Sequence, residues 1–128
     1  MKENKLTIFI NKPVKEVFAY SLESNNVPKW ITSIKEEIPS ERPVRVGTQL
    51  KNIGINNSTW NYYEVIDFVQ DKTFTLKRLN EDYFVKYTCT EKNDGTEFEY
   101  LEWAVNGDLD ELMEMSALEL LKKQIENQ

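Results

Sequence analysis

Glu102, Tyr87 and Arg78 are the residues of this chain best placed to do chemistry, because each is predicted to point into the same aromatic surroundings. The prediction rests on two tight turns. Asp94-Gly95 links the runs Tyr83–Lys92 and Thr96–Val105, both with strand character, and Gly there tolerates positive φ. With Asp94 and Gly95 as the turn residues, Asn93 opposes Thr96, Cys89 opposes Tyr100, Tyr87 opposes Glu102 and Val85 opposes Ala104. A turn at Asn80-Glu81 sets Arg78 against Tyr83, Leu76 against Val85 and Phe74 against Tyr87. Both turns choose one face, carrying Phe74, Leu76, Arg78, Tyr83, Val85, Tyr87, Cys89, Phe98, Tyr100, Glu102 and Ala104. On the other face Lys92 meets Glu97, as expected of a solvated side.

An aromatic wall with a few polar groups has the makeup of a small-molecule site, and equally of a solid core filled by its own rings. Glu102 would be costly to bury unpaired. In a cavity it is a carboxylate with a raised pKa, hydrogen-bonded to the Tyr87 hydroxyl, able to orient a ligand or move a proton. If the strand bulges after Leu101, Glu102 turns to water instead. Arg78 sits beside a turn, where it snorkels to solvent or meets a ligand anion. Cys89, among aromatics and with no flanking cation, reads as an inert small hydrophobe.

Composition removes other chemistries. There is no histidine, which excludes Ser-His-Asp and Cys-His catalysis and His-based zinc sites, and no metal site is expected. No Gly-rich phosphate loop is present, and no cofactor is expected. The single cysteine cannot form an intrachain disulfide, and the chain opens without a signal-peptide pattern, so a cytoplasmic setting is expected. The net charge of −6 comes from 22 acidic against 16 basic residues, with the basic ones scattered. That balance argues against nucleic acid and anionic membranes as partners. No apolar run approaches the roughly 20 residues that span a bilayer, so membrane insertion is not expected. At 128 residues, 40% of them hydrophobic, the chain reads as one domain over residues 1–128.

The elements that must position the candidates follow from periodicity. The first strand is predicted over Lys5–Ile10, with Leu6, Ile8 and Ile10 on one face. Pro13 opens a short helix that buries Val14, Val17, Phe18 and Leu22. Asn25, Asn26 and Pro28 punctuate a second short helix ending near Trp30, and Ile34 and Ile38 mark a strand that stops at Pro39. After a Pro/Gly loop over Ser40–Gly47, strands are predicted near Thr48–Ile53, Thr59–Val69, Thr73–Leu79, Tyr83–Lys92 and Thr96–Val105. In Tyr62–Val69 apolar residues occupy both parities, which a bulge or a second packed surface would explain. Asp108 is read as the N-cap of a closing helix, with Glu111 completing a capping box. Leu109, Leu112, Met113, Ala117, Leu120, Leu121 and Ile125 form its apolar stripe, and Asp110 is one of the charges between them. This is an α+β order.

The chain resembles the START-like superfamily, also known as SRPBCC or polyketide cyclase/dehydrase-type proteins. The resemblance covers nearly the whole sequence. It is carried by Ile10-Asn11-Lys12-Pro13-Val14-Lys15-Glu16-Val17-Phe18, Asn26-Val27-Pro28-Lys29-Trp30, Val46-Gly47-Thr48 and Asp94-Gly95-Thr96, in that order. It implies a helix-grip fold, a curved seven-stranded antiparallel sheet around a long C-terminal helix, with two short helices after the first strand. It further implies an apolar ligand held between sheet and helix, with Trp30 near the pocket's helical end and Met113 and Ala117 lining it from the long helix.

Three functions fit these features. The first is a non-catalytic carrier or sensor of a hydrophobic small molecule such as a lipid or polyketide, lined by Trp30, Phe74, Leu76, Arg78, Tyr83, Val85, Tyr87, Phe98, Tyr100, Glu102, Met113 and Ala117. The second is an interaction module with a filled core and an exposed patch around Trp60, Tyr62 and Trp103, which would also permit a homodimer contact. The third is a cyclase or dehydratase using Glu102 and Tyr87.

Overall fold

The computed structural model describes every residue except Asp110. It has strand β1 (Lys2–Ile10), helix α1 (Val14–Leu22), a 3₁₀ helix (Ser24–Lys29), strands β2 (Ile34–Pro39), β3 (Gln49–Gly54), β4 (Asn61–Val69), β5 (Thr73–Arg78), β6 (Tyr83–Lys92) and β7 (Gly95–Ala104), and helix α2 (Met115–Glu126). The strands form one sheet in the order β1-β7-β6-β5-β4-β3-β2, each neighbouring pair antiparallel. The two edge strands are thus joined by the two short helices, and α2 lies across the inner face. This is the helix-grip fold.

Local chemistry accounts for the ends of α1. Pro13 stands just outside it, and its carbonyl accepts from the N–H groups of Glu16 and Val17 at 3.0 and 3.1 Å. Val17 and Phe18 are fully buried, and Phe18 meets Phe68 and Phe74 edge to face at centroid distances of 5.6 and 5.7 Å. The chain then leaves helical geometry at Glu23, whose carboxylate accepts from the Asn25 N–H and so starts the 3₁₀ turn.

The β6–β7 turn differs from the expected one. Its two residues are Asn93 and Asp94, with φ of 49° and 64°, and Gly95 already pairs with Lys92 inside the strand. Asn and Asp tolerate the left-handed region well enough to make this two-residue turn. Gly95 answers a different need: a Cβ there would lie 2.5 Å from Phe9 Cζ and 2.8 Å from the Ile10 carbonyl oxygen. The register therefore moves by two residues. Cys89 opposes Phe98, Tyr87 opposes Tyr100, Val85 opposes Glu102, and Tyr83 opposes Ala104. A shift of two preserves parity, so the inward face is the predicted one. The Asn80-Glu81 hairpin keeps its predicted pairs, Phe74 with Tyr87 and Leu76 with Val85. Lys92 and Glu97 still meet, diagonally, at 3.3 Å.

Two bulges reset the faces of other strands. One between Val65 and Asp67 lets β4 point Tyr63 and Val65 inward and then Phe68 inward again, leaving Ile66 outside. The other, between Ile34 and Glu36, turns Glu37 into the interior and leaves Ile38 exposed, the reverse of the predicted pattern.

Helix α2 starts six residues after Leu109, where the sequence pattern predicts it. Glu114 stands at its N-cap position without a side-chain cap, and Asp108 does not cap the helix. The backbone of Met113 is engaged elsewhere: its N–H donates to Glu102 and its carbonyl accepts from Asn4. Those tertiary bonds hold the residue outside the helix. Asp110, read as a helix charge, lies outside the described residues. Leu118, Leu121 and Ile125 are completely buried, and Leu118 is absent from the predicted stripe. Each contributes about 1.5–3 kcal/mol by burial.

Candidate functional site

The inner face of the sheet is divided. At the end covered by α1, Phe18, Phe74, Phe98, Cys89 and the buried row of α2 fill the space with side chains. At the other end, towards the Asn80-Glu81 turn, no helix descends, and a cavity of about 1320 Å³ opens between the sheet, α2 and the residues Leu112, Met113 and Glu114 just before it. Trp30 divides the two, its ring edge to face with Tyr87 at 5.8 Å and Phe98 at 6.3 Å.

Most of the predicted site residues lie on this cavity. Leu76, Val85, Tyr87 and Tyr100 form the sheet wall, with Arg78 and Tyr83 nearer the mouth and Trp30 at the back. Ala117 lines it from α2, but Met113 does so from the preceding loop. Phe74 and Phe98 do not reach it, because they are packed into the filled end.

Glu102 is 1% exposed, so the strand does not bulge to release it. Its partner is Tyr83 rather than Tyr87: the register sets Val85 opposite Glu102, and the diagonal neighbour Tyr83 donates its hydroxyl to Oε1 at 2.7 Å. Asn4 Nδ2 and the Met113 N–H donate to Oε2 at 2.9 and 2.7 Å. Three donors thus occupy a carboxylate with about four lone-pair positions. Glu102 ties β1, β7 and Met113, just before α2, together. Burial, followed by the neighbouring Tyr100 and the bond to Glu102, raises the Tyr83 pKa far above the usual phenol value. Tyr83 therefore keeps its proton and remains the donor.

A second buried carboxylate, Glu37, escaped the sequence reading. It is 8% exposed, accepts from Ser24 Oγ at 2.9 Å, and has Asn52 Nδ2 at 3.5 Å. Burial raises its pKa, and the bonds from Ser24 and Asn52 oppose that shift only in part. The β2 bulge hid it, since Ile34 and Ile38 suggest the other parity. Asn52 was the available signal: it alternates inward with Leu50, and a buried amide requires a polar partner.

The remaining polar groups are also defined. Burial raises the pKa of the Tyr63, Tyr87 and Tyr100 hydroxyls on the cavity wall, and Glu37 adds to the effect at Tyr63 and Tyr87. Arg78 is held by Glu81 at 2.7 Å and by Asn61 at 2.5 Å. Glu81, Asp82, Asp108, Glu111 and Glu114 surround the mouth, all exposed. Cys89 lies off the cavity, its thiol pushed up to about 12 by burial.

Residues 1–127 match the family described as "Polyketide cyclase / dehydrase and lipid transport". The chain belongs to this family. It is thereby a START-like, SRPBCC-type protein, in keeping with its helix-grip architecture. Solved structures repeat this fold at low identity. A protein of Mesorhizobium loti, MLL2253, superposes with a TM-score of 0.77 at 13% identity, covering 98% of both chains. Ara h 8.0201 gives 0.67 at 10% identity over 99% of each chain. The Aha1 dimer from Colwellia psychrerythraea gives 0.65 at 14% identity over 99% of this chain and 91% of that one. No curated protein sequence matches. Among the described residues, no helix of this polyketide cyclase/dehydrase and lipid transport family member is long and apolar enough to cross a membrane.

Proposed function

We propose that this START-like domain is a non-catalytic carrier or sensor that holds a hydrophobic small molecule, a lipid, polyketide or similar compound, between its sheet and α2. The observation that carries this reading is the cavity. At about 1320 Å³ it exceeds the roughly 300–1,000 Å³ of ordinary ligand pockets. Its sheet wall carries Leu76, Val85, Tyr87 and Tyr100, while amide and charged side chains line much of the rest towards the opening. An interaction module with a filled core fits less well, since only the α1 end is filled. Engagement of Glu102 by three donors supports a holding role, because most of its lone-pair positions are already used within the fold. A buried free thiol at Cys89 is compatible with a cytoplasmic setting.

The test is native mass spectrometry of protein purified gently from its own host, followed by extraction and identification of any adduct. A stoichiometric apolar adduct is expected. Repeated apo spectra, together with failure to bind a fluorescent apolar dye, would sink the binding reading.

A further inference from the structure

We propose that the occupant of this cavity is an amphiphile whose polar end carries a protonated amine, and that Glu37 and Glu102 give the cavity its preference for that charge. The inference rests on the binding reading and narrows it to one chemical class.

The charge distribution comes first. Two carboxylates are buried against the cavity, and every hydrogen bond they accept comes from a neutral donor: Ser24 and Asn52 for Glu37, and Tyr83, Asn4 and Met113 for Glu102. The one cationic side chain among the described lining residues, Arg78, is already engaged by Glu81 and Asn61. Of the five carboxylates at the mouth, Glu81 pairs with Arg78 at 2.7 Å and Asp108 has Lys2 within 3.9 Å, the latter a largely exposed pair. A ligand carboxylate or phosphate would meet Glu37 and Glu102 at the buried wall, where like-charge repulsion is less screened than at the exposed mouth. An ammonium group would be drawn in by the mouth and would supply the countercharge that Glu37 lacks. The faces of Trp30, Tyr87 and Tyr100 are surfaces on which a cation also rests favourably.

A second observation, independent of charge, points to a polar ligand. Trp30 lines the cavity, and its indole Nε1, buried within a residue only 1% exposed, meets no acceptor among the described residues. An indole N–H can only donate. A hydroxyl, carbonyl or ether oxygen on the ligand would satisfy it, which a pure hydrocarbon cannot do. The expected occupant is therefore an apolar body with an amine and an oxygen, rather than a fatty acid.

Three probes with the same chain separate the possibilities: dodecylamine, dodecanol and dodecanoate, each titrated into the full chain by calorimetry at neutral pH below its micelle concentration. Dodecylamine is expected to bind about tenfold or more tightly than dodecanol, and dodecanoate more weakly than either. Glu37→Gln should reduce the amine-to-alcohol affinity ratio about fivefold or more. Trp30→Phe should weaken dodecanol several-fold through loss of the donor. If dodecanol binds and dodecylamine is no tighter, or dodecanoate is tightest, the charge inference falls while the binding reading stands. If none of the three binds, both fall. The ranking on the unmodified protein decides the matter even where a variant does not fold.

Discussion

Replacing Glu102 by Gln and by Ala separates a carboxylate that ties the structure together from one that merely occupies the cavity. In Glu102→Gln the amide can place its oxygen where Oε2 now accepts from Asn4 and Met113. Its NH₂ then faces Tyr83, whose hydroxyl can turn to accept. All three contacts survive, and only their charge assistance is lost, about 1 kcal/mol or less. In Glu102→Ala the Asn4 amide and the Met113 N–H lose their acceptor within a site that is 1% exposed. Unsatisfied buried donors cost about 1–3 kcal/mol each. Relief of carboxylate burial, and the second bond of Asn4 to the Met113 carbonyl at 3.0 Å, offset part of that cost. A net loss of about 2–4 kcal/mol is expected. With a urea slope of about 2 kcal/mol/M, the unfolding midpoint falls by about 1–2 M for Ala and by less than about 0.5 M for Gln. Amide exchange at Met113 should quicken in the Ala variant before global unfolding does. A Gln variant as unstable as the Ala variant, or an Ala variant within about 0.5 kcal/mol of the parent, would refute the tie.

Three further outcomes test other parts of the structure. Burial raises the folded-state pKa of Glu37 above the ordinary 4.5, so the folded chain holds that proton to higher pH than the unfolded chain does. Stability should therefore fall as pH rises from about 4.5 through the raised value, and Glu37→Gln should gain on the parent across that window in pH-dependent urea titrations; parallel curves would contradict it. Gly95→Ala places a methyl against Phe9 and the Ile10 carbonyl and should cost about 1–3 kcal/mol by urea unfolding, whereas a neutral result would mean β1 and β7 separate easily. The Cys89 thiol, pushed up to about 12, should resist iodoacetamide at pH 8 in the folded protein and react readily in urea; rapid native labelling would show that the filled end opens.

The residues also show why some features were legible in the sequence and others were not. Alternation is a property of single strands, so the inward face of β5, β6 and β7 could be read directly, whereas the doubled parity of β4 left a bulge and a second packed surface open, and the structure shows the bulge. Register is a property of pairs. Asp94-Gly95 resembles a turn sequence, yet the turn falls one residue earlier because Phe9 on the neighbouring edge strand demands a glycine at position 95. The true register sets Val85, not Tyr87, opposite Glu102 and leaves the diagonal Tyr83 as its hydrogen-bond partner, without moving any side chain to the wrong face. The start of α2 was hidden for a related reason. Asp108 and Glu111 make a plausible local cap, but Glu102 and Asn4, distant in sequence, capture the backbone of Met113. Glu37 was masked by a bulge in a strand whose isoleucines advertise the opposite face.

The two ends of the inner face carry different duties, and the polar groups show how the cavity can persist. The cavity is open towards solvent, so α2 has to be fixed beside it rather than over a solid core. Met113, just before α2, is anchored by the buried Glu102 carboxylate, which fixes where the helix begins. Leu118, Leu121 and Ile125 then fasten the helix to the filled end. The helix is held from both sides of the opening rather than by contents packed beneath it. Stability and ligand recognition thus overlap at Glu102, Glu37 and Trp30, whereas Phe18, Phe98 and the buried row of α2 serve the fold at the filled end.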